Sequence, residues 1–395
     1  MKALGKVALL PSLRASWNTI NRRTRRASRD VSGSDEESVN DFTRNADLFL
    51  RSISSDLRDS KYCFSRLRPV LIKKPNGKDR LICVPTVRDR IVQGALQEYL
   101  SKDNRYGLDN GVSFGFVRGQ GVKKAARKAE QLRNQFPFAY KADISSFFDS
   151  ISRDFLAGKI KKRITERSLH KILFAASHCE VEPTWGRKQK RIAALGIKIG
   201  WGVRQGMPLS PFFSNLVLRD FDATIIKKSI NMVRYADDLI IFAKSKDECI
   251  AIDRLCRDEL GKLGLTIHEL GIESKTGIYE PSETAEFLGV GIEKNASGYV
   301  LRVTDAQIEN IKRELKKLAD INELVDQNIN LMGFVKRLSA SIAGYEGSYD
   351  FCENSRALGD MLASVRVNIL EILFTKGLGV KLERLTEKQR RFLGF

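Results

Sequence analysis

The stretch Val233-Arg234-Tyr235-Ala236-Asp237-Asp238-Leu239-Ile240-Ile241-Phe242 sets two adjacent carboxylates between two apolar runs. That pattern predicts a β-hairpin with Asp237 and Asp238 at its tip. A second hairpin is expected over 68–84, where two apolar strands flank Pro75-Asn76-Gly77-Lys78, a strong turn signal. A strand over 138–144 ends near Asp143. Shorter strands are expected at 265–267, 276–279, 287–292 and 298–303, and strand character around 192–199 inside a basic connection. Apolar positions at helical spacing predict helices over 36–57, 87–100, 122–133, 154–177, 212–228 and 247–263. Thr304-Asp305-Ala306-Gln307 reads as a capping box. Helices follow at about 305–319, 328–344, 354–374 and 386–392. Strands and helices are therefore interspersed first, with helices alone at the end, which is an α+β pattern.

Composition narrows the partners. The chain has 395 residues, 42% of them hydrophobic, enough for two or three structural units. Its 68 Lys and Arg against 48 Asp and Glu leave a formal charge of +20, which points to a polyanion: nucleic acid or an acidic membrane surface. No apolar run is long enough to predict a transmembrane helix. The first eleven residues have no proper apolar core or cleavage site for a secretory signal. Six cysteines are scattered without a C-x-x-C pair, and only three histidines accompany them, so the expectation is reduced thiols in the cytoplasm and no zinc site. Residues 1–35 carry Arg14, Arg22, Arg23, Arg25, Arg26 and Arg29 around Trp17. They read either as a solvated helix face or as an arm on a nucleic-acid backbone.

Three carboxylates define the candidate chemistry. Asp143 ends one strand, and Asp237 and Asp238 tip a hairpin. Asp is also a common turn residue, so the hairpin alone is equally a solvated turn. A central sheet would bring all three together, and close carboxylates resist burial unless a cation compensates them. Oxygen-only ligands suit Mg²⁺. Two such ions are the general device for in-line phosphoryl transfer, activating a primer hydroxyl and neutralising a departing pyrophosphate. The Gly-rich loop 113–121 lacks the P-loop spacing, so no Walker-type site is expected.

The order of Arg80, Asp143 with Phe148, Arg204-Gln205-Gly206-x-Pro208-Leu209-Ser210-Pro211, Tyr235-Ala236-Asp237-Asp238 and Phe287-Leu288-Gly289 resembles the reverse transcriptases. It is most similar to the bacterial branch of group II intron proteins and retron enzymes, over about residues 36–345. The resemblance implies a right-hand polymerase. Its parts would be an N-terminal basic extension and helix (1–60), fingers (61–135), a palm (136–300) with a finger-like insertion at about 178–202, and a helical thumb with C-terminal helices (301–395). It implies an RNA-directed DNA polymerase that uses two Mg²⁺ ions, with Mn²⁺ as a substitute. Asp143 and Asp237 would be the principal metal ligands, with Asp238 the second hairpin acid and the Ile144 carbonyl a further ligand. Phe148 matches the aromatic gate that excludes a ribose 2′-hydroxyl, or is an ordinary core Phe. Gln205 and Gly206 would contact the incoming nucleotide. Arg80 and Lys74 would clamp its triphosphate, although Lys74 reads equally as a solvated turn lysine. Lys275 would lie near the pyrophosphate. Phe287, Leu288 and Gly289 resemble a primer grip and also read as a core strand. Arg22, Arg23, Arg118, Lys336 and Arg337 are candidates for nucleic-acid backbone contact. In the thumb, Lys312, Arg313, Lys316 and Lys317 would contact a duplex or be taken up by neighbours such as Glu309.

The implied partners are an RNA template, dNTPs and an RNA–DNA hybrid, with no membrane. Some features depart from the family pattern. The link from Leu265 to Lys275 is long, and the Val-Thr-Gly that retron enzymes tend to carry after the palm is missing. No Cys-rich DNA-binding module or His-Asn-His segment follows the thumb helices. A compact enzyme of this kind resembles the bacterial defence-associated reverse transcriptases, which act against phage with a dedicated non-coding RNA. The alternatives are an RNA-dependent RNA polymerase, against which Phe148 argues, and a maturase-like RNA-binding scaffold.

Overall fold

The computed structural model describes every residue apart from Pro75, Asn76, Ile272, Glu273, Gly394 and Phe395, and apart from the side chains of Ala27 and Phe392. Pro75 and Asn76, half of the turn expected at 75–78, thus lie outside the described residues. The strands they join are present: β1 (Arg68–Lys73) pairs antiparallel with β2 (Asp79–Val84), Arg68 opposite Val84 and Lys73 opposite Asp79. Then come β3 (Phe138–Asp143), β4 (Asn231–Tyr235), β5 (Asp238–Ala243) and β6 (Gly277–Tyr279), which hydrogen-bond in the order β4-β5-β3-β6. A third sheet is the antiparallel meander of β7 (Ala285–Phe287), β8 (Val290–Asn295) and β9 (Gly298–Arg302). Helices and antiparallel pairs together bear out the α+β class. Contacts group the chain into two compact units, residues 1–121, 140–241 and 247–277, and residues 122–139, 242–246 and 278–395.

In the first unit, the helix Ser210–Lys227 is the apolar spine. Phe212 through Leu218 are all buried, as expected of a helix apolar on every side, and Pro211 sits in its first turn, where its missing N–H costs nothing. The basic N-terminal segment is folded rather than an extended arm. Its helix, Leu10–Arg23, buries Leu13 and Trp17, and the Trp17 ring lies 4.6 Å from that of Phe42. Ser16 donates to the Ile91 carbonyl at 2.9 Å, and Arg29 is used internally on Asn21 and Asn40. Arg22 and Arg23 stay exposed in the helix's last turn, where cations suit the dipole.

Several expected elements are divided. The helix over 36–57 is two helices, Val39–Arg44 and Ala46–Arg58. Ser38 and Asp41 close a capping box at the first, and Asn45, at φ −130°, breaks the helical path between them. The period over 154–177 is carried by Arg153–Arg163 and His170–Ser177 with a 3₁₀ turn between. The expected strand around 192–199 is instead the end of the helix Gly186–Ala193 and a turn. Ile192 and Leu195 are at helical spacing, and with Ile197 they pack on a cluster of Leu67, Leu81, Cys83, Cys179 and Met207. The strand over 287–292 is cut by a turn at Leu288-Gly289.

In the second unit the helix Val122–Gln135 sends Arg133 into the interior. Its guanidinium lies 4.7 Å from the Tyr299 ring centroid and donates to the carbonyls of Glu280 and Glu283. Asn134 clamps Tyr299 through both of its backbone polar groups, at 2.9 and 3.0 Å. The helices Asp305–Lys316, Leu331–Tyr349 and Ser355–Ile372 follow; Thr304 caps the first through the Gln307 N–H. Among the described residues no helix is long and apolar enough to cross a membrane.

Replacing Trp17 by Ala empties a buried aromatic site and should lower stability by about 3–5 kcal/mol in urea unfolding. A segment that merely waited for nucleic acid would show no loss.

Candidate active site

The carboxylate hairpin turns through two residues, Ala236 and Asp237, because Asp238 is already the first residue of β5. Ala236 holds φ +58°, the left-handed conformation that tight hairpin turns require. The loop 112–114 runs beside the outer edge of β4. Arg234 N–H donates to the Val112 carbonyl at 2.7 Å and its carbonyl accepts from Phe114 N–H at 2.8 Å. Gly115 then passes so close that a Cβ would lie 2.4 Å from the Ala236 nitrogen.

Behind this turn lies a buried guanidinium. Arg234 Nε donates to Asp222 at 2.8 Å, Nη1 to Asn215 at 3.0 Å and to the Ala236 carbonyl at 3.1 Å, and Nη2 to Ser113 at 2.8 Å and again to Asp222. All five N–H donors of an arginine are used. The Arg234 and Asp222 side chains are each 1% exposed. Asn215 also donates to the Gly115 carbonyl at 2.9 Å, so one helix holds both the turn and the loop against it.

The hairpin tip meets the end of β3 through its backbone: Ile144 N–H donates to the Asp237 carbonyl at 3.1 Å. Lys275 Nζ sits 3.1 Å from each oxygen of Asp143, and His268 Nε2 is 3.8 Å from one of them. The segment that brings His268 here is anchored. Ser145 N–H donates to the Thr266 carbonyl at 2.8 Å, and Arg257 donates to the His268 carbonyl at 2.9 Å. Arg257 is itself held by Asp253, which accepts from the buried Tyr140 hydroxyl at 2.7 Å.

Burial pushes the Asp237 carboxyl above its usual range; Asp143 adds to the effect, while Lys275 and Arg80 oppose it. Burial likewise pushes Asp238 up to about 7, with Lys141 the main opposing cation and Asp143 and Asp237 adding repulsion. One oxygen of Asp238 is buried and finds no hydrogen-bond donor among the described residues.

The expectation that all three carboxylates converge is corrected in one respect. Among the described residues no three His, Cys, Asp or Glu side chains gather in a metal-holding arrangement. Lys275 takes both oxygens of Asp143. The donor chemistry nevertheless fits a hard divalent cation: an all-oxygen set, mutually repelling, with one buried carboxylate oxygen lacking a donor.

One loop joins Phe148 and the Gln205–Gly206 pair to β2. Val203 N–H donates to the Phe148 carbonyl at 2.8 Å, and Cys83 N–H of β2 donates to the Gln205 carbonyl at 2.7 Å. Glycine is required at two places along it. A Cβ on Gly202 (φ +78°) would lie 2.9 Å from the Asp149 Cα, and one on Gly206 (φ +109°) 2.4 Å from the Cys83 carbonyl oxygen. Phe148 is half-buried, beside the fully buried Phe147. Arg204 and Arg153 both donate to Glu180, so Arg204 serves the loop's footing. Arg80 and Lys74 are exposed on the β1–β2 hairpin. Its Asp79 is held well below the usual carboxylate range by hydrogen bonds from Arg191 and Lys73.

The remaining candidates fall elsewhere. Phe287 is buried, and Leu288 and Gly289 form the β7–β8 turn at φ +54° and +80°. Arg118 pairs with Glu98 at 2.8 Å, and Arg337 donates to Gln327 at 3.0 Å, while Lys336 is exposed. Lys312 and Lys317 pair with Glu309 and Glu314, each three residues away, and Arg313 donates to Asn310. Sequence reasoning missed Asp222, Asn215 and Ser113, the partners of Arg234. Asn215 and Asp222, polar and two turns apart on an apolar helix, were the available signal. It also missed His268 and Lys141, for which spacing gave none.

A family model described as reverse transcriptase (RNA-dependent DNA polymerase) matches residues 72–292. The chain belongs to this family. Among curated relatives it is 26% identical to protein YkfC of Escherichia coli over 297 residues, 63% of this chain and 72% of that one. It is 22% identical to the group II intron-encoded protein LtrA of Lactococcus lactis, covering 71% of this chain and 55% of that one. It is 24% identical to the retron Ec83 reverse transcriptase of Escherichia coli, covering 42% and 50%. Among solved structures, telomerase from Candida albicans aligns with 11% identity and a TM-score of 0.44, covering 88% of this chain and 69% of that one.

Replacing Asp222 by Ala strands the Arg234 charge and should cost about 3–5 kcal/mol of stability, seen as an earlier unfolding midpoint. Adding Arg234→Met should restore part of it. The raised Asp238 makes folding less favourable as pH climbs from the ordinary carboxylate range towards 7, because the unfolded chain gives up its proton first. In metal-free buffer, Asp238→Asn should therefore melt higher than the parent at pH 8. The gap should close near pH 4.

Proposed function

We propose that this reverse transcriptase makes cDNA on an RNA template by two-metal nucleotidyl transfer centred on Asp143 and Asp237. The observation that carries this is the hydrogen bond from Ile144 N–H to the Asp237 carbonyl, which puts the hairpin tip at the end of β3. Asp143, Asp237, Asp238 and the Ile144 carbonyl would hold Mg²⁺, with Mn²⁺ able to substitute. Ions bound there supply the charge that activates a primer hydroxyl and stabilises the leaving pyrophosphate.

The chain's own groups do the rest. Phe148, tied to the Gln205–Gly206 loop, would lie against the sugar and exclude a 2′-hydroxyl. Gln205 and Gly206 would seat the base and the sugar. Arg80, with a planar fork suited to phosphate, would meet the triphosphate with Lys74 beside it. Lys275 would leave Asp143 when a cation binds there and follow the negative charge onto the departing pyrophosphate. Phe287, Leu288 and Gly289 would hold the primer strand. Arg22, Arg23, Arg118, Lys336 and Arg337 would contact backbone, reading helix shape rather than base identity. In this reading residues 1–60 are an extension, 61–135 fingers, 136–300 palm and 301–395 thumb.

A dedicated, structured non-coding RNA as template, in defence against phage, is the finer reading. It is supported by the sequence resemblance to that bacterial branch and by the formal charge of +20. A cytoplasmic setting suits the six free cysteines. Sequencing the RNA that co-purifies, then the DNA made on adding Mg²⁺ and dNTPs, tests this reading. Random cellular RNA in place of one enriched species would overturn it.

Asp143→Ala and Asp237→Ala should each cut primer extension about a thousandfold or more, about 4 kcal/mol of barrier. RNA affinity should stay within about threefold, because binding rests on basic groups elsewhere. If extension persisted, the site would be misplaced. If a biological effect survived without extension, the scaffold reading would replace the catalytic one. Phe148→Ala should raise the ratio of rNTP to dNTP use by about 10–200-fold, the usual worth of one packing contact in discrimination. An unchanged ratio would remove Phe148 from sugar selection.

A further inference from the structure

Of the segment from Pro183 to Trp201, only Arg191 entered the description of the site above, as a partner of Asp79. Its helix, Gly186–Ala193, carries Arg187, Lys188, Lys190 and Arg191 and no acidic residue. Its inner side is fixed. Ile192, Leu195 and Ile197 pack on the cluster beneath β2, and Arg191 reaches Asp79 with two hydrogen bonds of 2.8 and 2.9 Å. The segment is therefore a firm extension of the β1–β2 hairpin, not a loose loop.

Its outer side is unlike ordinary surface. Trp185, immediately before the helix, is 79% exposed, Ile199 91% and Trp201 39%. Lys198 Nζ lies 5.7 Å from the Trp201 ring centroid. Arg187, Lys188 and Lys190 are all exposed and form no ion pair with the described residues. The thumb cations differ, since Lys312 and Lys317 are neutralised by neighbouring glutamates. Exposed indoles interleaved with unneutralised cations are the two components of a single-strand platform: π-faces for bases and positive charge for the backbone. A membrane surface fits less well, because an interfacial helix turns its apolar residues outward, and this one spends Ile192 on the core.

We propose that this face docks single-stranded RNA, with Trp185 stacking on a base and Arg187, Lys188 and Lys190 meeting phosphates. In the polymerase reading that strand is template not yet copied, and only this identity rests on that reading.

The test is binding without chemistry. Labelled single-stranded RNA of about 20 nucleotides, longer than one binding face covers, is titrated against the full chain without Mg²⁺ or dNTPs. A blunt RNA–DNA hybrid is titrated in parallel. Trp185→Ala should weaken single-strand binding about fivefold or more, in line with the loss of one stacked base. The triple variant Arg187→Glu, Lys188→Glu, Lys190→Glu should weaken it further and flatten its salt dependence. Both variants should melt at the parental temperature and bind the blunt hybrid within about twofold of the parent. Unchanged single-strand affinity in both variants overturns the proposal, and so does an equal loss on the blunt hybrid. Quenching of Trp185 fluorescence by vesicles with anionic lipid, but not by RNA, assigns the face to a membrane and overturns it too. Primer extension is read separately. A chain that fails to extend yet shows these affinities keeps the docking face and loses the polymerase reading.

Discussion

The position of the carboxylate turn depends on one buried guanidinium. Arg234 uses all five of its donors on Asp222, Asn215, Ser113 and the Ala236 carbonyl, and so joins a helix, a loop and a turn that are far apart in sequence. A charge sealed from water is tolerated only when it is this completely paired, and the desolvation it costs does not by itself favour folding. What the arrangement secures is geometry. Two residues on from this anchor, Ala236 is held in a conformation that few side chains adopt. Asp237 then has its backbone against the end of β3, and the Asp143 charge adds to the upward shift of its carboxyl.

The three carboxylates are compensated to different degrees. Asp143 is compensated by Lys275 at 3.1 Å, Asp237 by more distant cations, and Asp238 keeps one buried oxygen without a donor. The order matters for cation binding. In the proposed reading, an ion arriving at Asp143 would have to displace the Lys275 ammonium, and the displaced lysine would be left beside the negative charge that comes with the ion. One contact would then compensate the resting site and release a cation when it fills.

Much of this was legible in the sequence because it is local. The hairpin, the Gln-Gly loop and the cap at Thr304 are each written in a few consecutive residues, and each was found where expected. Three kinds of feature were not legible. Helix breaks such as Asn45 are decided by caps and packing that leave the apolar period almost intact, so the period alone ran through them. The strand expected around 192–199 is a helix end and a turn because the core takes Ile192, Leu195 and Ile197 and leaves Ile199 outside, although Ile197 and Ile199 alternate as in a strand. Long-range polar partners leave little mark: Asp222 shows only as a polar residue two turns from Asn215 on an apolar helix, and nothing in spacing pairs His268 with Asp143.

The loop that joins Phe148 to β2 has a mechanical consequence. Its two backbone hydrogen bonds, Val203 to Phe148 and Cys83 to Gln205, fasten it at both ends, and Gly202 and Gly206 let it lie flush against both supports. It is a strut. It ties the backbone of Phe148 to the β1–β2 hairpin. In the proposed reading, the arm that feels the phosphates and the wall that feels the sugar would share one rigid ruler. A nucleotide would then be measured along its length, and a misfit at one end would be registered at the other.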